Sequence, residues 1–409
     1  MQLVAYGAQD VYLTGNPEVT FYQAKYKRHT NFAMENIEQT VNGTAANSGR
    51  VSVTIARNGD LVGDMYIQLK SLTTNTSTSH ATDDCNWVAE RAVNNVELSI
   101  GGQRVDKHYQ KWWRLYSELY LDESKKATWG KMTTGSSTVY LPLIFFFNRN
   151  PGLFLPLIAL QYHEVRVDID LASDFGTYLD TNVFKVWANY VYLDTEERRR
   201  FAQKGHEYLI EQVQHTGSDT VEAASQKQVR LSYNHPVKEL VWCFADSTDR
   251  EGLWNFSNAA ADTVILESNP TSAAGESNCY VPISDLGAPL FSPGLSTKLF
   301  TEEAVGALDT FKLVLNGQDR FKEQEGKYFN QVQAYNHHSG NPCPGVYSYS
   351  FALKPEEHQP TGTCNFSRID NAQVAVKTTT ASPTTMHMFA TNYNVLRIQS
   401  GMGGLAFSN

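Results

Sequence analysis

Short runs in which apolar and polar residues alternate recur along the chain. In the first half, Val51-Val53-Ile55, Met65-Ile67-Leu69, Val165-Val167-Ile169-Leu171 and Phe184-Val186-Ala188-Tyr190 place apolar side chains at every second position. Successive side chains of a strand point to opposite faces, so a period of two predicts half-buried antiparallel strands. The second half repeats the pattern in Val229-Leu231-Tyr233, Leu240-Trp242-Phe244, Leu313-Leu315, Tyr347-Tyr349-Phe351 and Met386-Met388-Ala390. Segments rich in Ser, Thr, Gly and Asn, such as residues 73–79, separate the strands and read as outward-facing loops.

The chain also repeats itself. Ile100-Gly101-Gly102-Gln103-Arg104 is echoed 215 positions later by Leu315-Asn316-Gly317-Gln318-Asp319, each behind an alternating run (Val96-Glu97-Leu98-Ser99 and Phe311-Lys312-Leu313-Val314). Gly-Gly and Asn-Gly supply the positive φ angles of two-residue hairpin loops, so both copies predict a strand entering a tight turn. Behind each turn lies a helical stripe: Tyr109, Trp112, Trp113, Tyr116 and Leu119 in the first copy, Tyr328, Phe329, Val332 and Tyr335 in the second. Their spacing predicts a short helix packed on its sheet. Ala188-Asn189-Tyr190-Val191-Tyr192-Leu193 is matched 203 positions on by Thr391-Asn392-Tyr393-Asn394-Val395-Leu396. The order of matches is kept while their spacing shrinks, as in a duplicated domain whose loops differ in length.

Many short strands with few helices indicate sandwiches or jelly rolls, two in tandem over 409 residues, with the join between Glu196 and Glu211. An aromatic content of 12% suits pleated surfaces. Lys and Arg total 34 against 43 Asp and Glu, a net charge of -9, and no basic run forms a phosphate-binding stripe, so no direct nucleic-acid binding is expected. Cys85, Cys243, Cys279, Cys343 and Cys364 stand singly, which predicts reduced thiols and intracellular folding. Residues 1–5 lack the pattern of a secretory signal, and the most apolar region, residues 140–160, is interrupted by Asn148-Arg149-Asn150-Pro151. Its two segments fall well short of the roughly 20 residues that span a bilayer, so any membrane is expected only as a neighbour.

Candidate chemistry is sparse, and no catalytic, cofactor-binding or metal-binding residue is expected. His337-His338 lies in a Ser, Gly and Pro-rich stretch without Cys, Asp or Glu at ligand spacing, and reads as a solvated loop. Asp83-Asp84 and Glu356-Glu357 are adjacent in sequence and read as exposed loop charge, whereas acid/base catalysis needs carboxyls of separated pKa brought together in a cleft. Gly401-Met402-Gly403-Gly404 precedes no helix that could hold a phosphate, and reads as a flexible or bulged terminal strand. Glu196-Glu197-Arg198-Arg199-Arg200 balances its own charge and reads as an ion-paired surface at the join. Asn42, Asn75, Asn255 and Asn365 head glycosylation sequons, which a chain folded in the cytoplasm would not present to the secretory machinery.

The opening Tyr6-Gly7-Ala8-Gln9-Asp10-Val11-Tyr12-Leu13-Thr14-Gly15-Asn16-Pro17, then Thr20-Phe21 and Tyr26-Lys27-Arg28-His29-Thr30-Asn31-Phe32, closely resembles that of the nucleocytoplasmic large DNA virus major capsid proteins. His206-Glu207-Tyr208-Leu209-Ile210, Asn234-His235-Pro236-Val237-Lys238-Glu239-Leu240-Val241-Trp242 and Asn316-Gly317-Gln318-Asp319-Arg320-Phe321 follow in the family's order. The resemblance covers essentially the whole chain and is nearest to algal-virus, iridovirus and amoebal-virus members. It implies an all-β fold of two tandem eight-stranded antiparallel jelly rolls with short helices in inter-strand loops. The division expected is an N-terminal arm (1–24), a first roll (25–198), a linker (199–212) and a second roll (213–409). It further implies a homotrimeric capsomer of pseudo-sixfold outline that tiles the icosahedral outer shell of a virion assembled in the host cytoplasm, with neighbouring capsomers and minor capsid proteins as partners. By carry-over, residues 1–20 form an arm at the capsomer base facing the particle interior, with Gln9, Asp10, Tyr12, Asn16 and Pro17 as its contacts. The residues alone leave a second reading, a two-domain jelly-roll glycan-acting enzyme or lectin, because the same fold hosts unrelated functions.

Overall fold

The computed structural model describes residues 7–72, 87–135, 137–245, 306–342, 345–380 and 382–407. Eight principal strands come from the first half: β1 (Phe32–Gln39), β2 (Arg50–Thr54), β3 (Leu61–Ser71), β4 (Val93–Ile100), β5 (Gln103–Tyr109), β6 (Thr138–Pro142), β7 (Val165–Leu171) and β8 (Leu179–Leu193). They form two antiparallel sheets, in the orders β1-β8-β3-β6 and β2-β7-β4-β5. The second half supplies β9 (His206–Val221), β10 (Gln226–Leu231), β11 (Pro236–Ala245), β12 (Leu308–Leu315), β13 (Gln318–Asp319), β14 (Val346–Ser350), β15 (Ala372–Thr378) and β16 (Thr384–Gln399). Their sheets run β9-β16-β11-β14 and β10-β15-β12-β13, so each strand of the second half sits where the strand eight places earlier sits in the first. Short strands at Val41–Asn42, Leu155–Pro156, Gln324–Glu325, Cys364–Asn365 and Met402–Leu405 extend these sheets. The two halves are two jelly rolls, as the alternating pattern and its repeat predict.

Alternation carries straight into packing. Val51 and Val53 of β2, Val96 and Leu98 of β4 and Met65 and Ile67 of β3 all fall in one buried cluster of the first roll. In the second, Trp242 of β11 stacks on Phe311 of β12 with ring centroids 4.3 Å apart, among Val374, Val376, Met386 and Met388. Each such side chain stabilises the fold by about 1.5–3 kcal/mol relative to exposure. Both predicted hairpins form: Ile100 faces Gln103 across Gly101 (φ 58°) and Gly102 (φ 83°), and Leu315 faces Gln318 across Asn316 (φ 52°) and Gly317 (φ 76°). Residues 140–160 fold as the end of β6, a helical turn at Phe146–Arg149, a tighter one at Pro151–Leu153 and the strand Leu155–Pro156, with Phe145, Phe146 and Phe147 buried.

Three expectations are corrected. The helical stripe of the first copy is α1 (Gln110–Leu119), where Trp112, Trp113 and Leu119 are buried. Its counterpart is a π-helical turn, Tyr328–Val332, running into a helix at Gln333–His337; Phe329 is buried, but Val332 is 42% and Tyr335 89% exposed. The spacing is shared, but among the described residues the other roll packs on Trp112 of α1 and leaves Val332 and Tyr335 exposed. Residues 199–212 hold the end of a helix, not a free linker, followed by Lys204-Gly205 and the opening of β9, which pairs with β16 from His206 opposite Ile398. Glu211 and Gln212 are buried there, and these polar residues break the alternation that would have marked the strand. At the other end, residues 25–31 are exposed and form no strand before β1 begins at Phe32.

Candidate assembly surfaces

Two further helices complete the frame: α2 (Glu123–Thr133) and α3 (Thr195–Gln203). The outer face of the β9-β16-β11-β14 sheet lies against α1 of the first roll. Phe389 of β16 stands 5.7 Å from the Trp112 ring and 6.1 Å from Tyr109, and His215 of β9 stands 4.9 Å from Tyr109. Around these rings the backbone is tied directly: the Val213 N–H donates to Asp106 at 3.0 Å, and Gln212 donates to the Val105 carbonyl. The Gly340 N–H donates to the Leu119 carbonyl at 3.1 Å, and a Cβ at Gly340 would fall 2.5 Å from that oxygen, so only glycine admits this approach.

Charges are buried at the same seam. Lys238 is the extra residue where the β11–β16 register shifts between Val237 and Glu239, and bulges of this kind re-aim a side chain. Its Nζ lies 2.7 Å from Glu211 of β9, whose other oxygen accepts from Arg149 of the first roll at 2.9 Å. Burial opposes the charge on Glu211, but Arg149 and Lys238 hold its carboxyl below the ordinary range. Glu239, fully buried, accepts from the Tyr120 hydroxyl of the first roll and contacts His338 Nε2. His338 Nδ1 lies 3.3 Å from Glu356, which also accepts the Ser339 N–H at 2.8 Å. Burial works against the His338 cation, but the carboxylates of Glu239 and Glu356 raise its pKa to about 9.

This corrects the reading of His337-His338 and Glu356-Glu357 as solvated charge. His338 is enclosed and Glu356 partly so, while Glu357 stays at the surface beside Lys354, 2.8 Å away. The expectation failed because the partners of His338 arrive from β11 and a loop distant in sequence. The only signal for Glu239 and Lys238 was a charged pair inside the otherwise apolar run Val237 to Phe244. At the join, Arg198 pairs with Asp60 at 3.0 Å and Arg199 with Glu196 at 3.5 Å, as the balanced charge run suggests. Gly401-Met402-Gly403-Gly404 forms a terminal hairpin against β16, turning at Ser400 (φ 54°) and Gly401 (φ 78°), and its Gly403 meets His163 of the first roll.

The arm is laid open. Gln9, Tyr12, Asn16 and Pro17 are exposed, Tyr12 at 92%; Asp10 is half-buried by accepting the Gly7 N–H at 2.6 Å. Phe21 and Tyr22 are more than 90% exposed, an apolar display that soluble monomers avoid unless a partner uses it. Of the sequons, Asn42 lies exposed on a short strand, and the Asn365 amide oxygen accepts the Ser367 N–H at 3.1 Å; Asn75 and Asn255, with Asp83-Asp84, Cys85, Cys279 and Cys343, lie outside the described residues. Cys243 is a free thiol buried in the seam, where burial pushes it up to about 12, and Cys364 is free and partly exposed. Among the described residues no three potential ligands converge on a metal position, and a cleft of about 410 Å³ beside Arg57 and His163 is lined by a single carboxylate, Glu164. Glycoside hydrolysis ordinarily needs two.

Comparison with known proteins matches residues 20–194 to the family described as major capsid protein N-terminus and residues 197–404 to that described as large eukaryotic DNA virus major capsid protein. The major capsid protein of Paramecium bursaria Chlorella virus 1 is 43% identical over 454 residues, covering 100% of this chain and 99% of that one. That of Pyramimonas orientalis virus is 41% identical over 452 residues, with the same coverage. Among solved structures, the quasi-atomic model of the PBCV-1 virus capsid superposes with a TM-score of 0.79 at 39% identity, covering 95% of this chain and 100% of that one. The Faustovirus major capsid protein shares the fold, with a TM-score of 0.69 at 13% identity over 96% of this chain and 94% of its own.

Proposed function

The chain belongs to the family of large eukaryotic DNA virus major capsid proteins, a structural and non-enzymatic role, and from that premise we propose that three copies join into a capsomer that tiles an icosahedral shell. The observation that carries this is the repeated strand order of the two rolls. Six similar rolls in a trimer offer a near-sixfold outline, which lets a threefold object fill a hexagonal lattice site through heterologous contacts. The subunit contacts belong to the obligate class, above about 2,000 Å². Neighbouring capsomers and minor capsid proteins are the other partners, and the arm (1–24) faces the inner layer of the particle, with any internal membrane as its neighbour. Assembly takes place in the host cytoplasm. Nucleic acid is not touched directly, since a net charge of -9 repels phosphate.

Light scattering on a sizing column tests the reading. The purified protein is expected at three times the 45.8 kDa of one chain. A single species of one-chain mass at micromolar concentration would overturn it.

A further inference from the structure

Between Glu18 and Glu35 the chain carries no carboxylate and three full positive charges, Lys25, Lys27 and Arg28, in a protein of net charge -9. Phe21, Tyr22 and Tyr26 interleave with them, and all six side chains are exposed. Residues 24–31 form no regular element, and none of the three cations meets an acidic partner among the described residues. The segment ends where β1 opens, at Phe32 opposite Leu193. Lys25 stands seven residues before Phe32 and so reaches up to about 23 Å from the roll. That is more than twice the Debye length of about 8 Å at physiological salt, so the acidic body does not cancel the field of the arm's cations.

Two properties of this stretch select its partner. A terminus that only solvates itself is polar, whereas this one holds three aromatic rings in water. Aromatic rings beside Lys and Arg suit a membrane interface, where the rings enter the headgroup layer and the cations meet anionic lipid phosphates. A lipid surface also demands no fixed geometry, which fits a segment without regular structure. A protein partner would present pockets at set positions, and ordering the segment to fill them carries an entropic cost. We infer that residues 21–28 bind the anionic headgroup surface of a bilayer, lying on it without crossing it. The inference rests on the reading of the arm as facing the inner layer of the particle, and names the chemistry it meets there. Each basic residue near such a surface contributes about fivefold in affinity, so one arm holds weakly. Three arms on one trimer act together, because after the first has bound the others attach at high effective concentration.

Flotation of the full-length protein with lipid vesicles tests it. Vesicles of phosphatidylcholine containing phosphatidylserine are expected to carry the protein upward, and vesicles of phosphatidylcholine alone to leave it behind. Salt at about 1 M, where the Debye length is about 3 Å, is expected to release it. The triple variant Lys25→Gln/Lys27→Gln/Arg28→Gln is expected to lose roughly 150-fold in affinity per arm, and Phe21→Ser/Tyr22→Ser to bind less tightly with the same salt dependence. All five side chains are in solvent, so both variants keep the fold and the wild-type mass, checked by circular dichroism and light scattering. A triple variant that floats as the wild type does overturns the inference. Trypsin applied to intact particles separates it from the reading beneath it. An arm cut at Lys25 or Lys27 in the closed shell overturns the inward placement and the inference with it. An arm protected in the shell, on a protein that ignores anionic vesicles, overturns the lipid contact alone and leaves the arm to an acidic protein partner.

Discussion

His338 shows what a single residue contributes to the seam. It is enclosed by Glu239 from β11 and by Glu356, with Tyr120, the residue that caps α1, donating to the same Glu239, and burial together with that carboxylate keeps the Tyr120 hydroxyl well above its usual range and neutral. An unfolded histidine titrates at 6.5, whereas in the fold this one keeps its proton up to about 9. Its contribution is therefore complete below the unfolded value and is lost as pH rises through the folded one, an effect on the order of 3 kcal/mol by linkage. The urea midpoint is expected to fall between about pH 6 and about pH 10, and His338→Gln to remove most of that dependence while lowering the midpoint at the acid end. A wild-type profile that is flat over this window would contradict the charged assignment. None of this was legible in the sequence, where His338 and Glu239 stand 99 positions apart.

At the scale of elements, what is local was legible. A type I′ two-residue loop demands positive φ at both positions, and Gly101-Gly102 and Asn316-Gly317 meet that demand wherever the strands pack. Gly317 has φ 76° and open space where a Cβ would sit, so Gly317→Ala should cost only the backbone term, about 1 kcal/mol. Denaturant titration of this variant checks it; a loss several times larger would mean that the turn is packed against something. The helical stripes mark the limit of such reading. Tyr109 to Leu119 and Tyr328 to Tyr335 carry the same spacing, yet Trp112 is buried and Tyr335 is not, because periodicity says which side chains share a face and not what meets it.

For the whole molecule, the seam makes the two rolls one body. Aromatic contacts of α1, the Glu211 charge cluster and the terminal hairpin at Met402–Leu405 all cross it, and removing one partner of a buried ion cluster leaves an uncompensated charge. The arm stands apart, with Tyr12, Phe21 and Tyr22 in solvent. Deleting residues 1–20 is therefore expected to leave fold and trimer intact, by circular dichroism and light scattering, while impairing shell assembly or attachment to the inner layer. Complete shells built by the shortened chain, seen by electron microscopy, would refute the role given to the arm.

The sequence by itself determined the strands that alternate cleanly, the two hairpins, the duplication and the family, because alternation, turn chemistry and motif order are properties of neighbouring residues. The tertiary structure alone decided that His338, Glu239, Lys238 and Glu211 are buried, that β9 begins at His206 inside the expected linker, and that Trp112 of one helical stripe is covered while Val332 and Tyr335 of its twin are exposed. Those outcomes depend on groups that meet across the seam, where burial and charge are set by residues from the other roll and not by the segment that carries them.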